Sequence, residues 1–407
     1  MKIKSFIALR PPTDVAERVA APPYDVVDAR EAREFAAGNP DCFLHVTRSE
    51  IDLPEDMDPY SEEVYRKASE NFEAFKQKGN LIKAPGKAVY LYRLETEGHV
   101  QTGLITVCHV DDYDNDIIRK HEKTRQKTED DRTRHVLTLN ANTGPVFLTY
   151  RGNTDIERLG REAMKNEPLY DFKAKEGVRH TIWEIEDADP WINAFAGVPA
   201  AYVADGHHRA ASAARVARLR RDSNPDHTGE ENYNWFLSVL FPAQQLRVLP
   251  YNRCVKDLGN LSIKDFIERA GERFVIKEGA DPEPDAPGHI SMYIDGKWYG
   301  LEWDDSGSSD PVSSLDVSIL QDNLLDPVLG IRDPRNDARI EFVGGVRGVE
   351  ELTARVDSGK AAAAFSMHPV TVDQLMAVSD AGLIMPPKST WFEPKLRSGL
   401  LVHPLDG

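Results

Sequence analysis

Short apolar stretches alternate with turn residues along the whole chain and predict a mixture of helices and strands. Alternating patterns at residues 88–95 and 100–110 predict a β-hairpin. Apolar residues at helical spacing between 59 and 78 predict an amphipathic helix. The short apolar run at 42–47 predicts a buried strand.

The clearest transition in the pattern is at Asp205-Gly206, where an apolar run ends and an alanine-rich helical pattern begins. A helix that starts at such a turn directs free N–H groups and the positive end of its dipole to one place, which suits phosphate or carboxylate. Gly206 allows a tight turn, Arg209 offers a planar fork for phosphate oxygens, and Asp205 offers a cap or a cation ligand. The alternative is an ordinary capped helix with His207 and His208 exposed.

Composition narrows the class of protein. The 407 residues carry a formal net charge of −17, which argues against a general nucleic-acid surface. The three cysteines, Cys42, Cys108 and Cys254, are scattered and odd in number, so they support neither a disulfide framework nor a thiolate zinc site. No signal-like or membrane-spanning apolar run occurs. We therefore expect a cytoplasmic protein that does not bind a membrane.

The order of the predicted elements indicates two α+β units. We expect an N-terminal unit over residues 1–250 and a C-terminal unit over 251–407 whose final segment returns to the site. Residues 304–311 are the most linker-like.

The polar segment 113–142 contains a His121-Glu122 pair. It is either a solvated helix or loop with ion pairs, or an active-site arm. A metalloprotease helix needs a second histidine at position 125, which is Arg125. The adjacent histidines of the turn motif point about 100° apart on a helix, which opposes a facing pair of metal ligands. The sequence contains neither a P-loop nor a Gly-x-Ser-x-Gly nucleophile elbow.

A proline-bounded stretch near the C-terminus holds Lys388, Ser389 and Thr390 on irregular backbone. One hypothesis is that these residues complete the site, with Lys388 within reach of the turn and neutralising a phosphate. The alternative is a rigid loop without a role in binding.

The pentapeptide Asp-Gly-His-His-Arg at 205–209 resembles the nucleotide-phosphate motif of the ParB/sulfiredoxin-like superfamily, in particular that of archaeal free-serine kinases, which also carry a His-Glu pair upstream. The resemblance implies that Glu122, beside His121, is the general base that takes the proton of the serine hydroxyl. Glu122 precedes Asp205 by 83 residues, more than in the compact kinases, so an insertion is assumed. The residues that the resemblance assigns to phosphate and Mg²⁺ are Asp205, His207, His208 and Arg209.

Over nearly its full length the chain is similar to the domain of unknown function 1015 family. The stretches that carry this similarity are 21–26, 39–40, 121–124, 205–209, 249–253 and 385–390.

Together these observations predict an α+β fold with mixed sheets, a central ParB/sulfiredoxin-like strand, turn and helix within about 145–250, and a second α+β unit. The function they predict is a kinase that uses ATP or ADP with Mg²⁺ to phosphorylate a small hydroxyl metabolite, free L-serine first. The alternative is a nucleotide-switched binding protein without kinase activity; a homodimer is compatible with either, and no metal ligands are assigned. The predicted catalytic residues are Glu122, His121 and Asp205, and the predicted nucleotide- or phosphate-binding residues are Gly206, His207, His208, Arg209, Lys388, Ser389 and Thr390.

Overall fold

The structure is a computed structural model that describes residues 1–303 and 310–406, and it contains two compact units. The first unit comprises Met1–Leu246 together with Pro394–Gly407, and the second comprises Arg247–Glu393. The stretch predicted as a linker, 304–311, lies almost wholly outside the described residues.

Helices and strands alternate through both units. The helices of the described residues are α1 (Ala16–Val19), α2 (Ala29–Ala36), α3 (Leu44–Thr47), α4 (Glu62–Gln77), α5 (Val110–Asp114), α6 (Gln126–Leu139), α7 (Thr154–Ala163), α8 (Asp189–Ala196), α9 (His207–Ser223), α10 (Ile263–Ala270), α11 (Asp316–Leu320), α12 (Glu350–Asp357) and α13 (Val372–Asp380). The strands are β1 (Ile3–Lys4), β2 (Leu9–Arg10), β3 (Ile82–Lys83), β4 (Val89–Thr96), β5 (His99–His109), β6 (Ile118–Arg119), β7 (Ala141–Asn142), β8 (Val146–Tyr150), β9 (Tyr170–Lys173), β10 (Arg179–Ile185), β11 (Ala201–Asp205), β12 (Trp235–Pro242), β13 (Arg247–Leu249), β14 (Tyr251–Val255), β15 (Val275–Glu278), β16 (His289–Ile294), β17 (Lys297–Glu302), β18 (Ile340–Gly344), β19 (Ala363–Met367), β20 (Trp391–Glu393) and β21 (His403–Pro404).

The first unit is built on a mixed nine-stranded sheet in the order β6-β11-β8-β12-β5-β4-β10-β9, with β1 beside β5. The pairs β6/β11 and β8/β12 are parallel, and the other neighbouring pairs are antiparallel. Helix α9 contributes buried alanines to the same core as these strands. Small side chains let a helix approach a sheet closely, which explains why this helix is rich in alanine.

The second unit contains a six-stranded antiparallel sheet in the order β15-β17-β16-β19-β14-β18, and β13 pairs with β20. Its β16–β17 hairpin turns at Asp295-Gly296, where both residues have positive φ (51° and 73°), as a two-residue hairpin turn requires. The mixed α+β architecture with several sheets confirms the coarse prediction from sequence.

Local signals predicted several elements correctly and one wrongly. The hairpin formed by β4 and β5 is present, and the helix predicted between 59 and 78 is α4. The predicted strand at 42–47 is wrong, because residues 44–47 form α3. Its apolar residues pack into one core cluster, and a short fully buried run has the same composition whether it is strand or helix.

No helix of the described residues is long and apolar enough to span a membrane. The three cysteines are buried and unbridged. Burial raises the pKa of the Cys108 thiol to about 12, so this thiol is a packing group rather than a reactive one.

Gly103 in β5 provides a test of the packing within the large sheet. A Cβ atom there would lie 2.7 Å from the Phe241 ring and 2.8 Å from the Leu240 carbonyl oxygen. We expect Gly103→Ala to destabilise the first unit by about 1–3 kcal/mol in urea unfolding followed by circular dichroism. Gly86→Ala is the matched control, because a Cβ there meets nothing within 4 Å. Equal stability of the two variants would contradict this packing.

Candidate functional site

Two parallel strands place the His121-Glu122 pair beside the turn motif. Strand β6 runs parallel to β11, with Ile118 opposite Ala201. The chain leaves β6 shortly before His121 and leaves β11 at Asp205. Because the carboxyl ends of parallel strands lie at one edge of a sheet, residues that are 83 positions apart meet there. The polar segment that contains Glu122 therefore borders the start of α9.

The turn between β11 and α9 depends on glycine. Gly206 has φ 93°, in the left-handed region, and α9 begins at His207. Gly206 occupies the N-cap position and has no side chain with which to cap the helix. A Cβ on residue 206 would lie 3.0 Å from the central carbon of the Arg209 guanidinium. The predicted strand, tight turn and helix are all present, and the first N–H groups of the helix are backbone donors that lack intrahelical partners.

His121, Glu122 and His207 form a compact cluster. The two imidazole rings are 4.5 Å apart between centroids and nearly perpendicular. One donor atom from each of the three side chains lies within 4.8 Å of the others. His121 is 2% exposed and His207 6% exposed, whereas Glu122 is half-buried. His121 also hydrogen-bonds to the backbone of Val203. The cluster thus combines two buried imidazoles with one accessible carboxylate.

Burial determines the protonation of the two rings. It lowers the pKa of His121 to about 3, and the nearby His207 adds to this effect. It also lowers the pKa of His207 to about 3. Both rings are therefore neutral near pH 7, in the form that offers a nitrogen lone pair. The Nε2 atom of His207 is buried and has no hydrogen-bond partner among the described residues.

Asp205 lies at the centre of a group of alternating charges. The Lys395 ammonium donates a hydrogen bond to Asp205 Oδ2 at 3.0 Å. Arg209 Nη2 lies 3.8 Å from Asp205 Oδ1 and 3.6 Å from Asp25 Oδ2. Burial alone would raise the pKa of Asp205, but the charges of Lys395 and Arg209 outweigh it and hold that pKa well below its usual range. Asp205 is therefore ionised, and Arg209 is fixed between two carboxylates.

Arg209 also lines a cavity of about 40 Å³ in the first unit, together with Tyr24, Arg132, Thr143 and Ser398. The Arg132 guanidinium lies 4.1 Å from the centre of the Tyr24 ring. Burial raises the pKa of Tyr24, and its hydroxyl has no hydrogen-bond partner among the described residues. Two guanidinium groups and a neutral hydroxyl suit a small anionic group.

The remaining predicted residues have separate environments. His208 Nε2 accepts a hydrogen bond from the Arg125 backbone N–H at 3.0 Å, which ties α9 to the segment after Glu122. Lys388, Ser389 and Thr390 belong to the second unit. There the Lys388 ammonium lies 5.5 Å from the centre of the Tyr251 ring, and Ser389 Oγ donates to the Pro386 carbonyl at 2.6 Å. The proximity of these three residues to the turn stays a prediction.

The sequence as a whole identifies the family. Residues 3–318, well over half of the chain, match the profile of the family described as protein of unknown function (DUF1015). The chain belongs to the DUF1015 family. No curated protein matches the DUF1015 chain.

Three solved structures illustrate what the DUF1015 chain resembles. A free serine kinase in complex with AMP has 14% identity and a TM-score of 0.38, covering 71% of this chain and 86% of that one. A conserved hypothetical protein from Pyrococcus furiosus has 15% identity and a TM-score of 0.37, covering 74% and 95%. SbnI from Staphylococcus aureus, with a C-terminal truncation, has 11% identity and a TM-score of 0.39, covering 74% and 87%. At these values the likenesses carry no conclusion about function.

Two charged residues at the DUF1015 site were not among the predicted site residues. Asp25 belongs to the Pro-Pro-Tyr-Asp stretch that marks the family, so its motif was a usable signal. Lys395 lies just beyond the proline-bounded loop and belongs to the first unit, whereas the predicted Lys388 belongs to the second. The sequence alone does not indicate which of these two lysines lies beside Asp205. The path of the chain decides this, because it assigns the two lysines to different units.

The Lys395–Asp205 pair is testable by a double-mutant cycle. Because their side chains are only 15% and 24% exposed, we expect a coupling energy of about 1–2 kcal/mol between Lys395→Met and Asp205→Asn in urea unfolding. The control is the exposed Lys165–Glu162 pair, for which we expect no measurable coupling between Lys165→Met and Glu162→Gln. A coupling no larger than the control's would show that the buried pair contributes nothing to stability.

Proposed function

We propose that this protein is a nucleotide-dependent phosphotransferase that transfers a phosphoryl group to the hydroxyl of a small metabolite, with free L-serine as the first candidate. The observation that carries the proposal is the position of the Glu122 carboxylate beside His207, which is the first residue of α9 and follows the turn at Gly206. A phosphate cradle and a candidate base thus meet at one sheet edge.

Each part has a role in the proposed reaction. The N–H groups at the start of α9 and the Arg209 guanidinium hold the phosphate oxygens. The substrate hydroxyl oxygen forms a bond to phosphorus as the bond from phosphorus to the leaving oxygen of ATP or ADP breaks. Glu122 accepts the hydroxyl proton, and the products are a phosphate ester and the shortened nucleotide. His121 and Asp205 position these groups by their contacts.

Mg²⁺ fits this scheme as a companion of the nucleotide. It prefers oxygen ligands and is usually bound through substrate phosphates with one or two carboxylates. The cluster of His121, Glu122 and His207 offers two nitrogens and one carboxylate, which does not suit Mg²⁺. Asp205 already contacts Lys395 and Arg209. Mg²⁺ would therefore arrive with the phosphates rather than be held by these side chains.

The test is a product assay. The protein is incubated with Mg²⁺, ATP or ADP, and a panel of hydroxyl metabolites, and phosphorylated products are identified by mass spectrometry. We expect O-phosphoserine from L-serine. A different phosphorylated metabolite would keep the reaction class and change the substrate. Nucleotide binding without any phosphorylated metabolite would instead favour the nucleotide-switched binding protein, which needs the cradle but no base.

Glu122→Gln tests the base directly. The amide keeps the size of the side chain but cannot accept the proton, so we expect turnover to fall by about 10²–10⁴-fold with nucleotide affinity changed only a few fold. The matched control is Glu157→Gln, a helical carboxylate that accepts a hydrogen bond from Gln244. If Glu122→Gln turned over at the parental rate, Glu122 would not be the base.

Arg209→Ala should weaken both nucleotide binding and turnover, since the guanidinium contacts phosphate in the ground state and the transition state alike.

A further inference from the structure

The His121, Glu122 and His207 cluster has the composition of a transition-metal site. Two imidazole nitrogens and one carboxylate oxygen are the protein ligands of many catalytic zinc sites and of other sites with open coordination positions. We propose that these three side chains bind one divalent transition-metal ion, Zn²⁺ first, independently of any Mg²⁺ that accompanies a nucleotide.

The geometry supports a single ion. Ligand atoms around tetrahedral zinc lie about 3.3 Å apart, given metal–ligand distances of about 2.0–2.1 Å. The three donor atoms here already lie within 4.8 Å of one another, so modest side-chain rotations would bring them to that spacing. The half-buried Glu122 carboxylate is the member with room to move.

The surroundings of the two histidines also resemble those of histidines that bind metal ions. Metal-binding histidines commonly use one ring nitrogen for the metal and the other for a hydrogen bond that fixes the ring. His121 bonds to the Val203 backbone, which fixes its ring. His207 is 6% exposed and leaves Nε2 without a hydrogen-bond partner among the described residues. An unsatisfied polar atom at such depth destabilises the folded state, and a metal ion would satisfy it.

The proposed site leaves room for a fourth ligand. Three protein ligands on zinc are typical of catalytic rather than closed structural sites, in which four side chains complete the coordination. Because His207 is the first residue of α9, the ion would lie close to the proposed phosphate cradle. A carboxylate that binds the ion through one oxygen keeps its second oxygen, so ligation does not by itself exclude proton acceptance by Glu122.

The experiment uses the full-length protein, stripped of metal with a chelator and without nucleotide. Zn²⁺ binding is measured by isothermal titration calorimetry in excess Mg²⁺, and Co²⁺ serves as a spectroscopic probe. We expect one ion per chain and the visible absorption of four- or five-coordinate Co²⁺. Because loss of a second-shell partner already costs about 10–100-fold in metal affinity, His207→Ala and Glu122→Gln should each weaken binding by more than about 100-fold.

The control is His227→Ala, which removes a histidine that also lies beside a carboxylate, Glu231, at 2.9 Å; its metal binding should match that of the parent. Circular dichroism checks that each variant is folded. Because Glu122 is only half-buried, Glu122→Gln removes a ligand without disturbing the core. Absence of saturable binding, competition by Mg²⁺ at equal concentration, or unchanged affinity in both ligand variants would overturn the inference. Metal binding without phosphorylated product would refute the proposed kinase activity alone.

Discussion

The parallel pairing of β6 with β11 is the contact on which the whole site depends. Strand β6 has two residues, Ile118 and Arg119, and among the described residues β11 is its only neighbour in the sheet. Ile118 is fully buried, so one apolar side chain anchors the segment to the core while the residues that follow remain polar. This pairing places the His121-Glu122 pair beside the turn at Gly206. The hydrogen bond from the Arg125 N–H to His208 then holds the segment that follows the pair.

Electrostatic balance is the second constraint at this edge. Arg209 and Lys395 oppose Asp25 and Asp205, so the site is not a simple basic pocket in an acidic protein. Partly buried charges of this kind are stable only when paired, because each lost partner leaves a charge that burial penalises. An incoming phosphate would therefore replace a carboxylate contact of Arg209 rather than fill an unpaired cationic site. Such exchange favours ligands with several oxygens, since they can satisfy the guanidinium and the helix N-terminus together.

Sequence reasoning predicted the local features well. The turn at Gly206 and the hairpin of β4 and β5 each depend on neighbouring residues, so their signals lie within a few positions. The helix at 44–47 was missed because a short buried run has no diagnostic period. The metal-like cluster was missed for another reason: His121 and His207 were each tested against motifs that require a partner on the same helix. Their actual partnership comes from strand pairing across 83 residues, and a two-residue strand in a polar segment carries almost no signal of its own.

The chemistry of the donor atoms distinguishes the two proposed cations. Mg²⁺ is a hard ion that gives up water reluctantly and gains little from imidazole, whereas Zn²⁺ binds neutral imidazole well. Two buried histidines therefore select against the ion that accompanies nucleotides. Glu122 takes part in both proposals, as a metal ligand and as a base. Bonding to a cation lowers the basicity of a carboxylate, whereas accepting a proton requires that basicity. A metal bound through one oxygen of Glu122 would thus lower the basicity of the second oxygen without removing it as a proton acceptor, and would strengthen the attraction of the site for phosphate. Under the two proposals, metal occupancy and nucleotide chemistry would therefore be linked through one side chain.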